Sequence, residues 1–310
     1  MKNNLPKVVF IVGPTASGKT ELSVFLAKNF NGEIVNADSR QVYKEMEIAT
    51  AKPPRDNSIK NNDHYISNGI THHVMDCVKP SENFTLSDYR ARAQVAITDI
   101  LERGKLPIVV GGTGLYVWTL IDNLDIPKVA PNQKLRKSFE DKSLDELVKL
   151  LANIDSESID KIDIKNKRRV LRALEVSIST GESFSKQTTK SEPTYNCLQI
   201  GTRCERPELY RRIEDRIEKQ LDEGLLEETK KLSKKYPFTL PSMSSIGYKQ
   251  MGYYLREEMT YVEAVKLFKR DTKHYAKRQL SWFNRDKRII WVDNKDFKTA
   301  NKLVGKFLSK

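Results

Sequence analysis

Val8-Val9-Phe10-Ile11-Val12-Gly13-Pro14-Thr15-Ala16-Ser17-Gly18-Lys19-Thr20 is the stretch on which the fold turns. Its first five residues are apolar and mostly β-branched, the composition of a buried strand. The next eight fit G-x-x-x-x-G-K-T, and Leu22, Val24, Phe25 and Leu26 then open a helix. Strand, glycine-rich loop and helix in that order make a P-loop. Its glycines let backbone N–H groups curl around an anion, and the helix turns its positive end toward it. Lys19 adds a point charge, and the Thr20 hydroxyl can take a magnesium (Mg2+) position. Gly13, Pro14, Thr15, Ala16, Ser17, Gly18, Lys19 and Thr20 are therefore read as a phosphate or diphosphate site. ATP is the usual occupant of such a loop, and any diphosphate would fit.

Working outward, short apolar runs recur at Glu33–Asn36, Pro107–Val110, Leu198–Gly201 and Ile289–Val292, separated by helical stretches. Such runs read as buried strands of a parallel sheet. Between Ile121 and Tyr195 the strand signal disappears. There Ser143 and Glu146 form a capping box ahead of Leu144, Leu147, Val148, Leu151 and Ile154 at helical spacing. A second helix is expected from about Asn166 to Ser179, burying Val170, Leu171, Leu174 and Ile178 and stopped by Gly181. The expected organisation is an α/β core in two parts, 1–120 and 198–310, with an all-helical insertion over 121–197. In the second part, Leu209, Ile213, Ile217 and Leu221 mark the buried stripe of a helix interrupted at Gly224. Thr260 and Glu263 cap another helix running to Phe283.

Composition narrows the partners. The chain has 310 residues, 54 Lys+Arg against 41 Asp+Glu, and a formal net charge of +13. With 38% apolar residues it has material for a core, so wholesale disorder is excluded. No apolar run reaches the ~18–20 residues that span a bilayer. The first residues, Met1 to Pro6, carry no signal-peptide pattern, so a cytoplasmic protein with no membrane partner is expected. Cys77, Cys197 and Cys204 form no CxxC pair, which argues against disulfide frameworks and zinc modules.

Asp38, just past the second strand run, would face the P-loop crevice, because ligands of open α/β sheets sit beyond the strands' carboxyl ends. Its carboxylate could hold magnesium, act as a general base or cap a helix. Beside a P-loop the functional reading is preferred. Gly111-Gly112-Thr113-Gly114 closes the third long strand and offers a hydroxyl to the same crevice. His72, His73 and Asp76 look like a metal cluster, but neighbouring strand residues point to opposite faces, so both histidines are read as structural.

The positive charge is clustered. Lys266, Lys269, Arg270, Lys273, Lys277, Arg278, Arg285, Lys287 and Arg288 crowd the stretch 266–288, opposed only by Asp271 and Asp286, with Phe268, Tyr275 and Trp282 spaced by seven along one helix face. Lys165, Lys167, Arg168, Arg169 and Arg172 form a second cluster in the insertion. Two basic surfaces fit an extended polyanion such as RNA better than a nucleotide.

GPTASGKT at 13–20, DSRQVY at 38–43, HHVMD at 72–76, GGTGLY at 111–116 and YAKRQLSWF at 275–283 resemble, in order and spacing, the tRNA dimethylallyltransferase family. The likeness runs from about Lys7 to Val292 and, lacking a zinc-finger extension, points to the bacterial type. It implies a P-loop NTPase-like parallel core flanked by helices, with a helical insertion. The activity it implies is transfer of the dimethylallyl group of dimethylallyl diphosphate to N6 of the adenine 3′-adjacent to the anticodon. The P-loop would then hold the isoprenoid diphosphate rather than ATP.

By the same resemblance, Asp38 accepts the N6 proton, Thr113 contacts the reacting region and Arg203 neutralises the diphosphate. Lys19, Thr20 and Mg2+ share that charge. The tRNA anticodon stem-loop would meet Asp38, Ser39, Arg40, Gln41, Thr113, Arg136, Arg168, Arg169 and Arg172. Farther along, it would meet Gly247, Tyr248, Lys249, Lys277, Arg278, Gln279 and Trp282, and a monomer is expected. Asn284 stands where the family commonly has Arg, and Arg168 where Gln is frequent. The rivals are an adenylate prenyltransferase, which would not need the basic insertion, and a P-loop kinase, which would need no isoprenoid.

Overall fold

The structure, a computed structural model, describes residues 5–56, 65–125, 127, 129, 132–187 and 189–310. The signal-peptide reading rests largely on residues 1–4, which lie outside the described residues. Among the described residues seven strands form one sheet: β1 Lys7–Val12, β2 Gly32–Asn36, β3 Tyr65–Ser67, β4 Ile70–His73, β5 Leu106–Gly111, β6 Asn196–Arg203 and β7 Ile290–Asp293. Their order is β3-β4-β2-β5-β1-β6-β7, parallel throughout except for the antiparallel β3–β4 pair. The chain is mixed α/β, and the five strands read from the sequence are β1, β2, β5, β6 and β7, which pair with their neighbours in parallel, as β4 also does with β2.

The antiparallel pair was not foreseen, although its signal is local. Asn68-Gly69 joins the two strands, with φ of 54° and 74°, the left-handed pair a two-residue hairpin turn demands. The strands themselves are too short for apolar alternation to register.

The helices are α1 Lys19–Asn29, α2 Leu86–Glu102, α3 Gly114–Ile121, α4 Gln133–Ser138, α5 Leu144–Ile154, α6 Ser156–Lys161 and α7 Lys167–Thr180. They continue with α8 Phe184–Gln187, α9 Arg206–Asp222, α10 Leu225–Ser233, α11 Tyr248–Leu255, α12 Tyr261–Phe283 and α13 Phe297–Leu308. The capping boxes at Ser143/Glu146 and Thr260/Glu263 are both formed. A third, Thr85/Asp88, opens α2. No helix among the described residues is long and apolar enough to cross a membrane.

Two compact units make up the chain, Met1–Val117 with Thr194–Lys310, and Trp118–Pro193. In the first, Val8 to Val12 are wholly buried, and α1 and α13 lay Leu22, Leu26, Ala300 and Val304 on one sheet face. Register brings Val12 beside both Gly111 and Gly201, so β1 and β5 finish together while β6 runs two residues farther, to Arg203. The second unit is helical, cored by Leu147, Leu151, Val170, Ala173 and Leu174. Two of its expected core positions are not core: Ile154 is 47% exposed and Ile178 43%. Ile154 is the last residue of α5, and Ile178 lies in the last turn of α7. On α9 the buried stripe ends at Gln220 rather than Leu221. Steps of four overrun a helix of about 3.6 residues per turn, so the fourth position drifts off the face.

Candidate active site

The loop after β1 curls as the sequence predicts. Gly18, at φ 84°, caps α1 in the left-handed region that glycine enters without steric cost. Ala16 takes φ 63° without that freedom and is held there from outside. Arg212 Nε, from α9, donates to the Ala16 carbonyl at 2.8 Å, and Arg216 donates to the Thr15 hydroxyl at 3.1 Å. Ser17 Oγ lies 2.7 Å from Thr202 Oγ1, tying the loop to the end of β6.

A polar chamber of about 120 Å³ opens above the loop. Lys19, Arg212 and Arg216 line it, with Asp38 and Glu21 as the opposing carboxylates and Thr20 among its walls. The Lys19 ammonium donates to the Pro14 carbonyl at 2.6 Å. Burial and the nearby Arg216 lower its pKa to about 7, against Asp38, which pulls it back up. Burial, then repulsion from Arg212, also lowers the Arg216 pKa. Three cations crowded into a small recess repel one another, and an anion is what relieves them.

Asp38 stands on the wall shared with a second chamber of about 350 Å³. Its Oδ1 accepts the Arg40 N–H at 2.8 Å, and its own N–H donates to Asn36 Oδ1 at 3.0 Å, so the carboxylate is oriented by its loop. Thr113 is bound to the same loop, accepting the Ser39 N–H at 3.0 Å. The larger chamber mixes polar groups with an apolar wall of Ala49, Ile217, Ile246 and Phe268. Tyr275 lines it too, its phenol pKa raised by burial and then by the Asp38 charge. A still larger groove of about 790 Å³ between β4 and α2 holds none of the predicted groups. Glu33 there is ion-paired with Arg103 at 2.6 Å and Lys105 at 2.7 Å, and is hydrogen-bonded to His73 at 2.7 Å.

The first unit thus gathers the P-loop, Asp38, Ser39, Arg40, Gln41, Thr113 and Gln279. Arg203 is not among the chamber's lining residues; it ends β6 with an exposed side chain. The guanidiniums in the chamber are Arg212 and Arg216, which sequence reasoning missed as two more charges on a surface helix. Their four-residue spacing, beside the Ile213–Ile217 stripe, was the signal available.

Several residues assigned to RNA are occupied within the protein. Gln279 is buried, Trp282 packs over Gly114, and Gln41 Nε2 donates to the Thr50 and Ala51 carbonyls. Tyr248 is wholly buried with its hydroxyl on Glu228, and the Gly247 N–H donates to Gln250. Lys249, Lys277 and Arg278 are exposed. Lys269 and Lys273, basic residues of the same helix, are ion-paired with Glu218 and Glu214 of α9.

In the second unit Arg168 and Arg169 project from the first turn of α7. Arg136 and Arg172 close on Glu175, at 2.9 and 2.7 Å, a carboxylate 1% exposed. Burial raises the Glu175 pKa, but hydrogen bonds from Arg136, Arg172 and the Asn132 N–H outweigh it and hold the group at about 2. His72 and His73 do turn apart, to the Ile70 carbonyl and to Glu33, and no His, Cys, Asp and Glu group among the described residues could hold a metal by itself.

A sequence profile described as IPP transferase matches residues 41–286. The chain belongs to the IPP transferase family. A curated tRNA dimethylallyltransferase 2 of Geotalea uraniireducens is 44% identical over 295 residues, covering 93% of this chain and 92% of its own length. Among solved structures, the tRNA isopentenylpyrophosphate transferase of Bacillus halodurans superposes with a TM-score of 0.71 at 37% identity. That match covers 98% of this chain and 95% of the other. A eukaryotic dimethylallyltransferase described as acting on tRNA gives 0.78 at 30% identity, over 98% of this chain and 77% of that one. The family profile begins after the P-loop and Asp38, so what the geometry says of those residues is independent of it.

Proposed function

We propose that this member of the IPP transferase family is a tRNA dimethylallyltransferase, moving the dimethylallyl group of dimethylallyl diphosphate to N6 of the adenine 3′-adjacent to the anticodon. One observation carries the donor assignment. Lys19, Arg212 and Arg216 share a small polar recess that opens, at Asp38, into a larger half-apolar chamber. The recess suits a diphosphate, and the chamber has room for the prenyl group and a base turned out of its stack.

In this reading N6 attacks the allylic carbon, the carbon–oxygen bond breaks, and its electron pair leaves with the diphosphate. An exocyclic amine is a poor nucleophile because its lone pair is delocalised into the ring, so a positioned base assists. Asp38 takes the N6 proton through Oδ2, while its Oδ1 stays on the Arg40 N–H. The loop amides, Lys19 and the two α9 arginines stabilise the departing charge.

Mg2+ fits on one ground. Thr20 lines the recess, and magnesium is usually held by one or two protein groups together with substrate phosphate oxygens. When bound it would neutralise part of the diphosphate charge. The tRNA is gripped by the exposed Lys249, Lys277 and Arg278 of the core and by Arg168 and Arg169 of the second unit.

Nucleoside mass spectrometry tests the reading, with unmodified tRNA, dimethylallyl diphosphate and magnesium beside a parallel reaction offering AMP. An isopentenyl mass on tRNA adenosine is expected. Prenylation of AMP alone would make this an adenylate prenyltransferase.

A further inference from the structure

Gln279 belongs to α12, yet its amide reaches two backbone groups at the ends of different strands. Oε1 accepts the Thr15 N–H of the P-loop at 2.8 Å, and Nε2 donates to the Gly112 carbonyl at 2.9 Å. The side chain is 5% exposed. A Cβ built on Gly112 would lie 2.1 Å from Nε2, so residue 112 has no side chain where the amide passes. On its other flank the same loop is held by Arg212 at Ala16 and Arg216 at Thr15. Thr113, next to Gly112, is bound to Ser39, the neighbour of Asp38.

We propose that Gln279 is a positioning residue, a strut that holds the anion cradle after β1 and the Thr113 turn after β5 at one fixed separation. This rests on the prenyl-transfer reading above. In that reading the strut's Thr15 end belongs to the diphosphate cradle, and its Gly112 end adjoins Thr113, which is bound to the Asp38 loop. Gln279 borders the recess, but both polar atoms of its amide are engaged by backbone, so it sets that spacing through the two loops rather than through the donor. Its chemistry is specific, because one group must accept from Thr15 and donate to Gly112 at once. Glutamate keeps the acceptor but, ionised, faces the Gly112 carbonyl with a like charge. Methionine matches the length and supplies neither bond.

The test uses the full chain carrying Gln279→Met or Gln279→Glu, with thermal melting to establish that each folds. For Gln279→Met, the Kd for inorganic diphosphate and the KM for dimethylallyl diphosphate should each rise about tenfold, the effect of one buried hydrogen bond. The tRNA affinity measured without donor should stay within about twofold. For Gln279→Glu the diphosphate affinity, taken relative to wild type at each pH, should recover as pH falls and the new carboxyl gains a proton. That recovery decides the matter if the methionine variant does not fold. Weakened tRNA binding with unchanged diphosphate affinity would put Gln279 on the RNA and overturn the strut. Wild-type constants in both variants would overturn it equally. If the wild-type chain prenylates no tRNA, the prenyl reading fails, and the inorganic diphosphate arm still judges the strut.

Discussion

Lys19 offers a test of the anion site that does not depend on turnover. Its pKa stands at about 7, where an ordinary lysine has 10.5, because burial and Arg216 disfavour the ammonium. Without ligand, Lys19 is therefore charged below pH 7 and loses its proton as pH rises through that value. A bound diphosphate reverses the balance by placing negative charge beside the ammonium, so the pKa in the complex rises. Binding then takes up protons wherever the free group is neutral and the bound one charged. At pH 8 about nine-tenths of the free lysines are neutral, so uptake approaches roughly 0.9 protons per diphosphate. Apparent affinity should weaken about tenfold per pH unit above 7, until the pKa of the complex is reached.

Titration calorimetry in two buffers of different ionisation enthalpy reads the uptake directly. The ligand titrates too, so the quantity that matters is the difference between wild type and Lys19→Met, which has no proton to gain. Lys19→Arg, charged at every accessible pH, gives a second reference. A difference near 0.9 at pH 8 that vanishes by pH 6 is expected. Equal uptake by wild type and both variants at pH 8 would refute the argument, since Lys19 would then either be charged already in the free protein or not face the bound anion.

Three other outcomes follow from the geometry. Asp38→Asn keeps the acceptor for the Arg40 N–H but removes the base, so single-turnover prenyl transfer should slow ~10²–10⁴-fold; an unchanged rate would exclude Asp38 from proton transfer. Replacing exposed Lys277 and Arg278 with alanine should weaken tRNA binding and lower the salt-dependence slope by about one for each phosphate left unneutralised, read by filter binding over a salt series. Glu175→Gln should destabilise the second unit by about 2 kcal/mol at pH 7, less than the full pKa shift because Arg136 and Arg172 are partly solvated. The folded Glu175 pKa is depressed to about 2, so wild type should lose this stability as pH falls from about 4.5 toward 2, while the variant shows no such loss in acid unfolding.

How much of this could be read beforehand depends on the range over which each feature is encoded. The P-loop, the capping boxes at Ser143 and Thr260, and the placement of Asp38 after a strand are written in neighbouring residues, and the fold followed from them. Side chains acting across the tertiary structure were less legible. Gln279 reads as part of a basic helix until α12 lays it between two loops more than 160 positions away in sequence. Tyr248 has the look of an aromatic RNA platform, and only the fold buries it on Glu228. Arg136 and Arg172 count as free charge in a composition argument, but the core of the second unit places Glu175 beneath them.

The surplus positive charge divides in the same way. Part of it is internal: Lys269, Lys273, Arg136 and Arg172 are matched to carboxylates, and Arg212 and Arg216 brace the P-loop. Of the charges on α12 that remain outward, Lys277 and Arg278 lie within one turn of Gln279. A phosphate backbone docked on that face would press on the helix whose inner side holds the P-loop and the Thr113 turn together. A polyanion outside and a diphosphate inside thus depend on the same few residues of α12. In the proposed reading, the face that meets the acceptor and the strut that fixes the donor's cradle are therefore parts of one helix.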